Sequence, residues 1–256
     1  MKTFRLFALF ALLVMTLSAV AVNAQDMPVG TFEAADCPFE VPEGFVEGRD
    51  IDCGYVTVPE FHAEPDGATI RIAVAVFNSV ASNPAPDPLV MAQGGPGGST
   101  LDLFGELIPG ITDFYRQNRD VVLIEQRGTL YSEPSLTCPE LTELGIELLD
   151  DDIVIDEAQV LQVEAVDECR VRLIEEGVNF SAFNSIENAA DVPLIMDTLG
   201  YEGEFNYYGV SYGALLAQHL LRDHPERVRA AVIDAVAATN INFMQEVPTT
   251  AQRVFD

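Results

Sequence analysis

Five residues, Gly209-Val210-Ser211-Tyr212-Gly213, read G-x-S-x-G. A serine hydroxyl is a weak nucleophile until a neighbouring base takes its proton and a fixed geometry presents its oxygen. Glycines two places before and two places after supply that geometry. They let the chain pass a sharp, strained turn without a Cβ in the way. The pattern alone arises by chance in roughly one chain in ten of this length, given ordinary Gly and Ser frequencies. Its setting makes it more telling. Phe205–Val210 (FNYYGV) reads as an apolar strand and Ser211–Asp223 as an amphipathic helix, which is the strand–turn–helix arrangement of a nucleophile elbow. A helix starting at the serine would also aim free N–H groups at a developing oxyanion. The competing reading is a Gly-rich turn that buries an inert serine.

A second loop bears on the same chemistry. Gly94-Gly95-Pro96-Gly97-Gly98-Ser99 follows the short apolar strand Leu89–Ala92. A loop so poor in side chains lets backbone N–H groups approach a substrate carbonyl. Where a nucleophile elbow is present, one oxyanion donor comes from such a loop and the other from the residue after the nucleophile. The residue after the nucleophile is Tyr212, and the loop donor would be one of the glycines of Gly94–Gly98. A phosphate-binding loop is the rival reading. It needs G-x-x-x-x-G-K-[ST], and the only lysine in the chain is Lys2.

The elements that must carry these loops are legible in outline. Cys53–Pro59 and Thr69–Asn78 are β-branched and read as strands joined through the turn Glu64-Pro65-Asp66-Gly67. Residues 25–50 are punctuated by Pro and Gly and read as irregular. Leu89–Ala92 and Asp120–Glu125 read as short strands buried on both faces, and Val228–Val236 as one more buried apolar strand. Residues 139–200 read as mostly helical, with Glu157–Glu176 and Asn188–Leu199 carrying apolar periodicity and Asp150–Asp152 a solvated loop. Two hairpin strands followed by strand–helix alternation predict an α/β fold, with a mixed, mainly parallel sheet covered by helices.

Composition narrows the partners. The 256 residues carry a net charge of −28, which repels phosphate backbones and argues against nucleic-acid binding. The same charge either attracts cationic peptides or serves solubility. Lys2 and Arg5 precede an apolar run from Leu6 to Val22, and Val22-Asn23-Ala24 has the small-residue form of a cleavage site. Residues 1–24 therefore read as a signal peptide cut after Ala24, rather than an uncleaved anchor, and no stable membrane association is expected afterwards. In an exported chain the even set Cys37, Cys53, Cys138 and Cys169 reads as two disulfides. Three connectivities are possible, of which Cys37–Cys53 with Cys138–Cys169 is the simplest. Metal binding is the weaker alternative, because no pair has C-x-x-C spacing and the three histidines are scattered. No cofactor and no metal is expected.

Three blocks, Gln93–Ser99 (QGGPGGS), Glu125–Ser132 (EQRGTLYS) and Gly209–Gly213 (GVSYG), stand in the order found in the secreted branch of the proline iminopeptidase/tripeptidyl aminopeptidase family of α/β-hydrolases, which this chain resembles. The strand Val228–Val236 and the four cysteine positions fit as well. The resemblance implies a serine exopeptidase that releases one residue or a short peptide from a free amino terminus, with Ser211 as nucleophile and Gly95, with Gly94 as the competing candidate, and Tyr212 as oxyanion donors. Arg127 would organise loops near the site or form a structural salt bridge. Gln93, Glu125 and Leu130 stand where family members often have His, Asp and Gly.

The resemblance also shows a gap. In this fold the triad runs Ser, acid, His along the chain. After Ser211 the histidines are His219 and His224. His219 is eight residues along the predicted helix, roughly 12 Å from the serine by helical rise, and His224 lies farther on. His62 precedes the serine, in the early hairpin. Asp234 ends the next strand, earlier than the family's acid. Residues 25–256 are therefore expected to be the N-terminal part of a catalytic domain, truncated before the cap and the last strands, and inactive alone. A non-catalytic binding protein of the same fold and a secreted esterase are the alternatives.

Overall fold

The structure, a computed structural model, describes residues 27–108, 110, 113–150, 152–236, 238–242 and 252. The expected signal segment, residues 1–24, lies outside them.

The β-branched runs form the hairpin the sequence predicts. β2 (Ile51–Pro59) and β3 (Thr69–Phe77) pair antiparallel from Ile51 opposite Phe77 to Pro59 opposite Thr69. In the turn between them the Gly67 N–H donates to the Glu64 carbonyl at 2.8 Å. β1 (Phe32–Ala34) pairs with the outer edge of β2. This corrects the irregular reading of residues 25–50: a three-residue strand with exposed side chains has no burial alternation for a sequence to display. The backbone can close on β2 because Gly54 offers no Cβ; one there would sit 2.3 Å from the Glu33 carbonyl.

β4 (Leu89–Ala92), β5 (Val121–Ile124), β6 (Phe205–Val210) and β7 (Val228–Asp234) continue the sheet in the order β1-β2-β3-β5-β4-β6-β7. β5 runs antiparallel to β3, and every pairing from β5 to β7 is parallel. β4 and β5 are buried at all four positions, as continuous apolar runs require when helices cover both faces. One face packs on α4 (Ser185–Thr198) and α5 (Tyr212–Asp223), through Val192, Ile195, Met196, Leu216 and Leu220 against Val90, Val122 and Tyr207. The other packs on α1 (Thr100–Leu107), through Leu101 and Phe104 against Met91 and Leu123. The expected mixed, mainly parallel sheet with helices is thus present.

β7 differs from its reading as a buried strand. Val228 alone is buried there, and Val232 is 56% exposed. No strand pairs with its outer edge among the described residues, so an apolar run that would be buried at a sheet centre stands open at a sheet margin.

α2 (Pro139–Glu147) and α3 (Ile155–Glu175) form a pair outside the sheet layers. Ala165, Cys169 and Leu173 recur every fourth residue and give α3 its one buried line. The two disulfides are Cys37–Cys53 and Cys138–Cys169, the sequence-local pairing. The first closes a loop of sequence separation 16, worth about 3 kcal/mol in the chain-entropy account. The grouping Cys138, Glu140 and Cys169 has metal-ligand spacing, but both sulfurs are consumed in the second disulfide and Glu140 is paired with Arg172.

Ahead of β4, Asp87 binds Arg119 and Arg229 and accepts from Asn206 Nδ2 at 2.8 Å. Burial raises its pKa, but the bonds from Asn206, Arg119 and Arg229 outweigh it, and the carboxyl lies well below the usual range. A depressed folded pKa stabilises above the unfolded value near 4 and loses that stabilisation as pH falls. Asp87→Asn is expected to cost about 2 kcal/mol at pH 7 and to flatten the acid limb below pH 4, read from urea midpoints across pH.

Candidate active site

The sheet reverses its winding between β4 and β6: the chain leaves β4 for β5 on one side and returns to β6 on the other. Crevices at the carboxyl ends of parallel strands form at such a point. The loops that end β4, β5 and β6 all emerge there.

β6 ends at Val210, and α5 starts at Tyr212, so Ser211 alone makes the turn. Its backbone lies at φ 56° and ψ −112°, a conformation that costs an L-residue on the order of 1–3 kcal/mol. The surrounding glycines have no alternative. A Cβ on Gly209 would lie 2.2 Å from the Gly213 carbonyl oxygen, and one on Gly213 would lie 2.3 Å from that of Ala92. Ser211 is half-buried, and its N–H donates to the Asp234 carbonyl at 2.9 Å.

The glycine loop meets this turn directly. A Cβ on Gly94 would fall 2.6 Å from Ser211 Cβ and 3.0 Å from its Oγ. The Gly94 N–H is engaged, donating to Gln93 Oε1 at 2.7 Å. Gly95, at φ +119°, forms no such bond among the described residues, and Tyr212 opens α5, where a backbone N–H has no partner within the helix. The two amides proposed from sequence are therefore the unengaged ones, while the competing Gly94 is capped.

Of the three consecutive residues that follow β5, the first two fasten the loop and the third ties neighbouring elements together. Glu125 Oε2 accepts from Ser99 Oγ at 3.2 Å, the Thr100 N–H at 2.9 Å and the Leu101 N–H at 3.1 Å, holding the first turn of α1. Burial pushes its carboxyl above the usual range, against those three bonds. Gln126 Nε2 donates to the Gln93 carbonyl at 2.7 Å and holds the near end of the loop. Arg127, 5% exposed, uses all five N–H groups: two on the Asp191 carboxylate and three on the carbonyls of Pro59, Glu60 and Ala182. It is a structural clamp between β2, β5 and α4. Asp191 gave no signal in the sequence, because an acid inside a helical apolar run looks like surface until its partner is placed.

The histidines are elsewhere. His62 Nε2 lies 2.8 Å from Asp191 Oδ1. His219 Nδ1 pairs with Arg222 at 3.0 Å, and burial, then that arginine, lowers its pKa. His224 caps the end of α5. Asp234 is exposed and accepts from the Tyr208 hydroxyl at 2.9 Å. The structure thus sets Ser211 against Gly94 of the glycine loop, with Tyr212 next at the start of α5, and among the described residues adds neither an imidazole nor a paired acid.

Residues 87–256 match the family model described as the alpha/beta hydrolase fold. The chain is 31% identical over 196 residues to a tripeptidyl aminopeptidase of Streptomyces coelicolor, covering 73% of this chain and 35% of that protein. It is 26% identical over 211 residues to the serine protease Hip1 of Mycobacterium tuberculosis, covering 81% and 40%. A carboxylesterase B of Mycobacterium tuberculosis is 29% identical over 153 residues, covering 59% and 28%. The chain spans roughly a third of these relatives' length. Among solved structures, an alpha/beta hydrolase fold protein from Chitinophaga pinensis matches at 17% identity and TM-score 0.41, over 73% of this chain and 48% of that one.

Proposed function

The chain belongs to the α/β-hydrolase fold family, and from that membership we propose that Ser211 is the nucleophile of a secreted serine exopeptidase acting on short peptides with a free amino terminus. The observation that carries this reading is the positive-φ turn at Ser211, packed against Gly94 at the mouth of a glycine loop. The Ser211 oxygen attacks the scissile carbonyl, and the oxyanion that forms takes the Gly95 and Tyr212 N–H groups. A base receives the hydroxyl proton and passes it to the leaving amine, and water then releases the acyl group. The relatives named tripeptidyl aminopeptidase and serine protease support peptides over other acyl substrates.

The base and its acid come from outside these 256 residues in this reading, since all three histidines are engaged elsewhere or lie far along α5. The chain by itself is expected to turn over aminoacyl and tripeptidyl p-nitroanilides no faster than buffer. A polypeptide that carries these residues together with such an acid and base is expected to hydrolyse them. Turnover at enzymatic rates by the 256 residues alone would overturn the missing-base part. Two disulfides and the apolar N-terminal run support an extracytoplasmic location.

A secreted esterase is the second reading, favoured by the carboxylesterase B relative. Parallel assays on p-nitrophenyl esters and p-nitroanilides separate the two. Gly94→Ala tests the geometry in either case. Its methyl would displace Ser211 Cβ, and a displacement approaching 1 Å at the reacting atoms costs on the order of 100-fold in kcat.

A further inference from the structure

Beside the glycine loop lies a cleft of about 300 Å³ that the proposed chemistry does not use. Gly97 and Tyr212 border it on the side of Ser211, and Leu136 and Phe183 give it apolar walls. Two of its lining side chains stand out. Asn188, on α4, is 7% exposed, and its carboxamide makes no hydrogen bond to any described residue. Gln126, 3% exposed, spends its Nε2 on Gln93, while its Oε1 has no partner. Of these, Gln126 Oε1 is the buried atom; buried polar atoms are nearly always bonded, and leaving one unpaired costs about 1–3 kcal/mol.

The charges around the cleft are closed off. Arg127 reaches it, but the guanidinium is saturated and neutralised by Asp191. Tyr212 turns its hydroxyl to Ser185 Oγ at 2.9 Å. Among the described residues no carboxylate lines the cleft, although the chain's net charge is −28. What remains is the Asn188 carboxamide, whose NH2 donates and whose oxygen accepts, a buried acceptor on Gln126 Oε1, and at the mouth the Thr137 hydroxyl, which accepts from Ser135 Oγ at 3.1 Å. That set complements a group carrying both a carbonyl and an N–H.

We propose that this cleft, through Asn188 and Gln126, is a binding site for an uncharged amide group of the peptide substrate, beside the scissile bond. The amide is either a backbone peptide group or an Asn/Gln side-chain carboxamide. The proposal rests on Ser211 marking the reaction centre for its place in catalysis, but not for binding. A charged group would enter undersolvated and unpaired, so the site discriminates against it.

The test uses the full chain, 15N-labelled. Its Asn and Gln side-chain cross-peaks are followed during titration with acetyl-Ala-Ala-Ala methylamide, propionamide, acetate and methylammonium. The amides are expected to shift the Asn188 and Gln126 cross-peaks at concentrations where the two ions do nothing. A tighter response to the blocked peptide assigns the site to the backbone, and an equal response to propionamide assigns it to a side-chain carboxamide. Asn188→Leu is expected to weaken binding at least ten-fold. Thr137→Trp, at an exposed lining position, blocks the mouth without entering the core and is expected to do the same. Ser211→Ala leaves binding unchanged, so a Ser211 without hydrolytic function and a cleft without affinity are separate results. Equal shifts by the ions, or no shift at either residue with the amides, would overturn the proposal.

Discussion

Ser211→Ala is expected to lower kcat/KM on peptide p-nitroanilides by about 10⁴-fold or more in an extended, active polypeptide, while leaving the protein folded. The loss is that large because the oxyanion donors and the binding cleft can only stabilise an adduct, and the adduct needs an oxygen on Ser211 to form. Stability should move little, or upward. The residue is held at φ 56° by Gly209, Gly213 and Gly94, which leave the turn no other course. Ser211→Gly relieves that conformation and is expected to stabilise the fold by about 1 kcal/mol while abolishing turnover. Denaturant midpoints and p-nitroanilide rates on the same samples check both halves. A variant that retained rate would remove Ser211 from the chemistry. One that lost rate by unfolding would be uninformative on chemistry, which is why the glycine variant accompanies it.

Arg127→Met is expected to destabilise the chain by about 3–5 kcal/mol. The pair it breaks is buried on both sides, with side-chain exposures of 1% for Arg127 and 2% for Asp191, and bonds of 2.8 and 2.6 Å. Removing the cation leaves the buried Asp191 carboxylate with His62 Nε2 as its remaining side-chain partner and three carbonyls, of Pro59, Glu60 and Ala182, without their donor. Arg127→Lys should recover little, since three donors on a flexible stem cannot replace a planar fork of five. Replacing both partners, Arg127→Met with Asp191→Leu, should recover a substantial part of the loss, because the isolated charge goes with the pair. Urea unfolding of the four proteins gives the comparison. A cost below 1 kcal/mol for Arg127→Met would mean that β2, β5 and α4 are held by packing alone.

The G-x-S-x-G and GGPGGS patterns were readable because the constraint on each is local. A backbone that turns at positive φ, or that must approach another segment within 3 Å, selects glycine at fixed offsets whatever surrounds it. β4 and β5 were readable for a related reason: a strand buried on both faces has to be apolar at every position. The apolar run at residues 228–236 shows the limit of that rule, since the strand at Val228–Asp234 has the same composition and stands open at the sheet margin. The sequence determined the elbow, the loop, the central strands and, through residue types alone, the absence of any histidine within reach along α5. Only the tertiary structure decided that Gln93 caps the Gly94 N–H, and that Glu125, Gln126 and Arg127 fasten three different segments. It alone brought Asn188 and Gln126 to one cleft, 62 residues apart in sequence. Hydrogen-bond pairing and burial are properties of positions in space, and a polar residue in an apolar run carries no mark of its partner until the sheet and helices bring the two together.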